Sequence, residues 1–313
     1  MAVAIGVRPL LSIIIPCLGH AQELVYCLRG LEAQEGDLPF EVVVVDSASD
    51  SAVRVSAERF PGVQLVRSAS VLSAGAARNL GVAHAAAEVL GFLDADCIPE
   101  PGWARAALEA IHEGAVLASG PILDVLPWHL IAASDNRLQF VDFPKRRPAG
   151  AHPYFPSAHL AMPRTVFGAS GGFDPDALNA QDVLFTQSVA AAKPGGARFC
   201  PQMIVQHWGR QRWSEFIRHQ HTFGESRAEN RLRMDRSWTW MGRHPIMAWA
   251  VILRRLLYIT LRVMQWNLPD LPRFILQLPV LVVGLMAWTR GFYAGMRRTS
   301  PTAAHMGESA SQD

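Results

Sequence analysis

The chain has 313 residues, half of them hydrophobic and 18% charged, with a net charge of +2. That length admits one large core or two domains, and the charged fraction lies below the roughly 25% of an average soluble domain. Charge is unevenly spread, at −6 over residues 1–206, +10 over 207–300 and −2 over the remainder. An acidic front and an Arg-rich rear suit two different partners. The cysteines Cys17, Cys27, Cys97 and Cys200 show no Cys-x-x-Cys or other metal spacing. They read as reduced thiols of a cytosolic protein, with a disulfide left open by sequence. The apolar N-terminus is broken by Arg8 and Pro9 without a small-residue cleavage site, so it reads as a first strand rather than a signal peptide.

In chain order, "LLSIII" (10–15) predicts a strand and residues 20–34 a helix. "FEVVVVD" (40–46) predicts a second strand, continuous in valine as when both sheet faces are covered. "VQLVRS" (63–68) is a third strand, 73–88 a small-residue helix and "VLGFLD" (89–94) a fourth strand. This rhythm predicts an α/β fold with a doubly wound, largely parallel sheet. Its strand C-termini line one edge, where ligands bind. Asp46 and Asp94 both end such strands, so they face one cleft. Residues 120–160 are Pro-rich and less regular, with a helix near 127–140. A strand over 158–164, a turn at "GGFDPD" (171–176) and a helix over 181–192, beginning at Asp182, follow.

The last third differs. Residues 213–234 predict a polar, Arg-rich helix and 246–266 an amphipathic one interrupted by Arg254, Arg255 and Arg262. Residues 274–289 carry no charge and are broken by Pro279. A spanning helix needs about 20 apolar residues, so the expectation is a helix in the membrane interface or a shallow re-entrant hairpin. The plainer alternative is a helical pair packed on the front domain. Trp249, Trp266, Trp288 and Tyr293 flank the apolar runs as interfacial anchors do. The polar tail after 298 reads as disordered.

The chemistry-bearing residues fall into short signals. "VVVDSASD" (43–50) brings Asp46, "AGAARNLG" (74–81) brings Arg78 and Asn79, and "LDAD" (93–96) gives an Asp-x-Asp. "GGFDPDALNAQD" (171–182) ends on Asp182, and "VQHWGR" (205–210) brings His207. An ionised carboxylate is costly to bury unless paired, hydrogen-bonded or metal-bound. Asp94 and Asp96 in a turn can converge on one magnesium or manganese ion, whose open side takes phosphate oxygens. His207 is a further candidate ligand that suits manganese better than magnesium. Singly, Asp46 reads as a turn residue, Asp182 as a helix N-cap, His207 as a satisfied histidine, and Asp94 with Asp96 as either a capping pair or a metal site. Their order and spacing together are more specific.

These motifs, with "SIIIPCLGH" and "GFLDADCIPEPGW", resemble the family 2 inverting glycosyltransferases over about residues 10–210. The resemblance implies the A-type nucleotide-sugar-binding fold, with a doubly wound mixed sheet, over 1–210. A helical membrane-associating region would follow over 211–298 and a disordered tail over 299–313. It implies that Pro16, Asp46, Arg78, Asp94 and Asp96 bind the nucleotide-sugar and that Asp46 holds the base. It also implies that Mn2+ or Mg2+ is bound through Asp96, with Asp94 and His207, and that Asp182 is the catalytic base. Gly19 stands where an Asn or Arg is usual, His159 where an Asn is common before the acceptor-side helix, and Gln181 where a Glu precedes the catalytic Asp.

The implied activity is transfer of a sugar from a nucleotide-diphosphate donor to a lipid-linked or saccharide acceptor, in polysaccharide or other cell-envelope glycoconjugate synthesis. It would take place at the cytoplasmic face of the cell membrane, with peripheral or shallow contact. The alternative is a catalytically degenerate binding subunit of a polysaccharide assembly system, suggested by Gly19 and Gln181. "PCLGHAQE" lacks the basic Gly-rich loop of a nucleotidyltransferase and the G-x-G-x-x-G of a dinucleotide enzyme. The Arg cluster, interleaved with apolar runs, suits lipid rather than nucleic acid.

Overall fold

The computed structural model describes residues 8–48, 51–176, 181–234, 244 and 247–298. The tail expected over 299–313 and the side chain of Gln181 lie outside that description. In chain order the elements are β1 (Leu11–Cys17), α1 (Ala21–Glu32), β2 (Phe40–Ser47), α2 (Ser51–Glu58), β3 (Val63–Ser68) and α3 (Ala74–His84). There follow β4 (Val89–Leu93), β5 (Cys97–Pro99), α4 (Trp103–His112), β6 (Leu117–Ser119), β7 (Ile122–Asp124) and α5 (Leu130–Phe140). Next come β8 (Gly150–Ala151), β9 (His159–Pro163), α6 (Arg164–Ala169), α7 (Gln181–Ala192), β10 (Ala197–Phe199) and β11 (Val205–His207). The chain continues with α8 (Trp213–Met234), α9 (Met247–Trp266) and α10 (Leu271–Arg298).

Two compact units result. One comprises the described residues up to Leu123 together with Phe143–Trp208; the other comprises Asp124–Asp142 and the described residues from Gly209 onward. The sequence reading places 124–142 with the front region, whereas here the segment joins the rear helices.

The first unit is built on an eight-stranded sheet of order β3-β2-β1-β4-β9-β6-β10-β8. β1 lies parallel to β2 and to β4, and β2 parallel to β3. β9 then enters antiparallel to β4, so the sheet is mixed. The isoleucines of β1 and valines of β2 are buried on both faces, which explains why these strands read as unbroken apolar runs. Helix α3 reaches the sheet at Gly81, where an added Cβ would collide with Ile14. β5 and β11 pair antiparallel in a second, three-stranded sheet of order β5-β11-β7.

The second unit is helical. Gly224 of α8 meets the backbone of α10 at Trp288, and Gly291 of α10 meets that of α8 at His221. Glycines let the two backbones touch there, the device that small residues provide in tightly crossed helices. The uncharged stretch 274–289 lies within the single helix α10, which runs through Pro279; the hairpin form of the sequence expectation does not occur within it. Asp135 of α5 is fully buried yet well supplied with donors. Its Oδ1 pairs with His219 Nδ1 at 3.0 Å and accepts from Gln220 Nε2 at 2.8 Å, and its Oδ2 accepts from the Arg210 amide at 3.2 Å. Burial alone would raise this carboxyl, but His219, Arg210 and Gln220 together bring it below its ordinary value.

His159, at the start of β9, belongs to the core of the first unit. It is 0% exposed. Its Nδ1 accepts from Trp103 Nε1 at 3.3 Å, and its Nε2 lies 3.1 Å from the Gly120 carbonyl oxygen. Indole is only a donor, so the ring proton resides on Nε2 and the imidazole is neutral. Burial pulls its pKa down to about 3, against a smaller upward pull from Gly120. The unfolded chain protonates this histidine below about pH 6.5, whereas the folded one does so only near 3. Stability conferred by the neutral form is therefore whole above 6.5 and drains away on acidification, at up to ~1.4 kcal/mol per pH unit. The urea midpoint of wild type should fall more steeply from about pH 6.5 to 4 than that of His159→Gln. Parallel slopes would show that this histidine does not carry the effect.

Candidate active site

Parallel strands β1, β2 and β4 end at Cys17, Ser47 and Leu93, and so release the chain at one sheet edge. Pro16 is the penultimate residue of β1 and pairs with Val45. Asp46 lies opposite Cys17 on one side and Arg67 on the other. It is 0% exposed, and Arg67 Nε holds its Oδ2 at 3.0 Å. Just beyond, Ala48 adopts a left-handed φ of 52°, rare for a residue with a Cβ. Ser47 Oγ accepts from the Leu72 amide at 2.6 Å, tying the loop before α3 to the end of β2. Burial pushes the Cys17 thiol up to about 12, with the charges of Asp46 and Asp96 adding to the effect.

Asp94 follows β4 directly. Its Oδ1 meets Arg78 Nη2 at 2.5 Å, and the Arg78 side chain is only 5% exposed. This ion pair is what makes a carboxylate tolerable at the end of a buried strand. Desolvation still lifts the Asp94 carboxyl above its ordinary value; Arg78 opposes the shift, and the negative charges of Asp96 and Asp182 reinforce it. Asp182 thus shares the electrostatic surroundings of Asp94. The next residue of α3, Asn79, grips the backbone of Phe173 at both ends. Its Nδ2 donates to the Phe173 carbonyl at 2.8 Å, and its Oδ1 accepts from the Phe173 amide at 3.1 Å. The Arg78 guanidinium also lies 5.5 Å from the Phe173 ring centre.

Asp96, whose charge acts on Asp94, also belongs to a second group of side chains. β5 and β11 place Cys97 opposite His207, and directly opposed residues of an antiparallel pair project to the same face. The amide of Trp208 donates to the Asp96 carbonyl at 3.0 Å, holding the two segments together. Asp96 Oδ1 lies 3.5 Å from His207 Nε2. One donor atom each from Asp96, Cys97 and His207 lies within 4.8 Å of the others. A carboxylate, an imidazole and a thiol so placed fit a divalent ion. The sequence reading sets Asp94 and Asp96 on a common ion with His207; Asp94 meets Arg78 through Oδ1, and Cys97 lies beside Asp96 and His207.

Asp182, in the first turn of α7, is held by three donors. Ser157 donates to Oδ2 from its amide at 2.9 Å and from its hydroxyl at 3.1 Å, and the Val183 amide donates to Oδ1 at 2.8 Å. Thr186, one turn on, exchanges hydrogen bonds with both backbone groups of Phe155. The carboxylate is therefore fastened to residues 155–157 rather than used only to cap its own helix. Arg67, Cys97 and Ser157 are missing from the sequence-derived site. Cys97 lies within "GFLDADCIPEPGW" and Ser157 within "PSAHLAM", and nothing in either stretch distinguishes them from an ordinary core cysteine and loop serine. His159 of the same stretch is sealed in the core and cannot touch an acceptor.

Residues 12–139 match glycosyl transferase family 2. Polypeptide N-acetylgalactosaminyltransferase 15 of Mus musculus is 29% identical over 160 residues, which are 43% of this chain; the match spans only 25% of that relative's length. Glycosyltransferase AglE of Haloferax volcanii is 22% identical over 275 residues, covering 86% of this chain and 84% of the relative. Among solved structures, a mannosyltransferase from Pyrobaculum calidifontis in complex with GDP-Man and Mn2+ superposes with a TM-score of 0.51 at 21% identity. That likeness covers 97% of this chain and 80% of the other, and it concerns the fold. Residues 12–139 thus resemble glycosyl transferase family 2, and the mixed sheet shares the fold of the mannosyltransferase structure.

Proposed function

We propose that this chain transfers a hexose-type sugar from a nucleotide-diphosphate donor to an acceptor hydroxyl, with inversion at the anomeric carbon. The observation that carries the reading is the placement of Asp182. Its carboxylate is fixed by Ser157 and Val183 and lies in the electrostatic field of Asp94, at the edge where the Asp-x-Asp emerges. Asp182 accepts the acceptor's hydroxyl proton as the oxygen attacks the anomeric carbon. The new carbon–oxygen bond forms while the bond to the diphosphate breaks, and the nucleoside diphosphate leaves with the electron pair.

The other residues bind and orient. Asp46, steadied by Arg67, takes the nucleotide base beside Pro16, while Arg78 and Asp94 fix the sugar-diphosphate end. Asp96 and His207 hold Mn2+ or Mg2+, and imidazole favours manganese. When bound, the ion neutralises charge on the departing diphosphate. The Mn2+ and GDP-Man of the mannosyltransferase with the same fold support this reading.

The same proposal extends to the membrane and to a lipid-linked or saccharide acceptor in cell-envelope synthesis. Helix α9 turns Ile252, Ile259 and Val263 inward and leaves Trp249, Leu253, Leu257, Leu261 and Met264 exposed along the opposite side. Residues Leu268–Arg297 form a helix long and apolar enough to cross a membrane by length and composition. Phe274, Leu281 and Leu285 of that helix are buried among side chains of its own unit. This favours a helix lying on the cytoplasmic leaflet over one crossing it.

Screening UDP, GDP and dTDP sugars with Mn2+ by thermal shift should identify a stabilising donor. With that donor, Asp182→Asn should lower transfer about 10²–10⁴-fold while leaving donor affinity unchanged. Near-wild-type transfer would reduce Asp182 to a structural residue. In a separate assay, full-length protein should float with vesicles containing anionic lipid, and a Leu253→Glu, Leu257→Glu double variant should remain at the bottom of the gradient. Equal flotation of the two, or none by wild type, would remove the α9 face as the attachment surface.

A further inference from the structure

We propose that Cys97 is a ligand in the Asp96 site, so that the site prefers a thiophilic divalent ion such as Zn2+ to Mn2+ or Mg2+. The inference rests on the reading that Asp96 and His207 hold the ion, and it changes which ion they hold. The geometry comes from β5 and β11. Cys97 and His207 are register partners, Asp96 immediately precedes Cys97, and the three donor atoms lie within 4.8 Å of one another. Magnesium is held by oxygen ligands, and thiolate selects softer ions, with zinc accepting sulfur, nitrogen and oxygen together. All three side chains are largely withdrawn from solvent: Cys97 is 0% and His207 3% exposed, and the Asp96 side chain is 13% exposed. A fixed donor set in such a setting discriminates by ligand type rather than by adapting to the ion.

The surroundings add further sulfur. Cys17, closing β1, and Cys27, on α1, are both buried and both feel the charge of Asp96. On binding, the Cys97 thiol gives its proton to solvent and a metal–sulfur bond forms, with no change of oxidation state. An ion captured in this way would compete with Mn2+ for Asp96 and set the metal dependence of transfer.

The test uses the full-length metal-free chain. Co2+ substituted for zinc should give a near-ultraviolet thiolate-to-cobalt absorption band, lost in Cys97→Ser and retained in Cys200→Ser. Zinc-edge X-ray absorption on wild-type protein, which needs no variant, should find one sulfur neighbour at about 2.3 Å. Competition read by the electron paramagnetic resonance of Mn2+ should show that Cys97→Ser weakens Zn2+ relative to Mn2+ by at least about tenfold. That is the lower end of what loss of even an outer-shell partner costs. Co2+ and Mn2+ binding without the band or the sulfur neighbour would overturn the thiolate ligand while leaving Asp96 and His207 as the ion's holders. A band that persists in Cys97→Ser would move the sulfur to another cysteine and also overturn the proposal. If neither Mn2+ nor Co2+ binds, both this inference and the metal reading beneath it fall.

Discussion

The ion pair between Arg78 and Asp94 is the contact on which the candidate site depends. Breaking a buried pair by removing one partner costs roughly 3–5 kcal/mol, because the other charge is left without compensation. Here the penalty would fall on a guanidinium that is 5% exposed. The pair also has a positional consequence. Arg78 sits on α3, and α3 is pressed onto β1 and β2 at Gly81. Asn79, the next residue, clamps the backbone of Phe173. One step along one helix therefore fixes both the Asp-x-Asp strand end and the turn that leads towards α7. Asp182 is fastened separately, through Ser157 and Thr186.

Within the Asp-x-Asp the two carboxylates have different neighbours. Asp94 is spoken for by an arginine, whereas Asp96 is carried by the turn after it to β5 and its partner β11. His207 lies 110 residues beyond Cys97 in sequence and beside it in the sheet. A site assembled by an antiparallel pair of three-residue strands depends on register. A one-residue slip in β11 would turn His207 to the other face and leave Asp96 without its imidazole neighbour.

Much of this was legible in the residues themselves. Isoleucine and valine runs announced β1 and β2, a mixed apolar run announced β4, and parallel connections put Asp46 and Asp94 on one edge. The misses share a cause, since they arise from contacts between segments far apart in sequence. Arg67 belongs to the site only because β3 lies beside β2. Cys97 follows Asp96 directly, and only its closeness to His207 depends on the return of β11. His159 looked like an altered acceptor-side residue, but its role is set by Trp103 and Gly120, neither of which is near it in sequence. The short strands β5 and β11 carry too few residues for a period-2 pattern to be visible.

The rear third shows a related limit of reading charge from composition. Its +10 excess suggests a basic face, yet several of those arginines are consumed inside the second unit. Arg273 pairs with both Asp124 and Asp270, Arg262 with Asp142, and Arg210 with Asp135. Charge neutralised by an internal carboxylate adds little to attraction for an anionic lipid surface. Among the described residues Arg212, Arg218, Arg254, Arg290 and Arg297 remain on the outside, each worth about 1 kcal/mol near such a surface. Burying a single exposed leucine is worth about 1.5–3 kcal/mol, and Leu253, Leu257 and Leu261 lie more than half exposed on one helix. The apolar stripe of α9 is therefore at least as large a source of membrane affinity as the arginines. High salt, which screens the arginine contribution, would leave the apolar part in place.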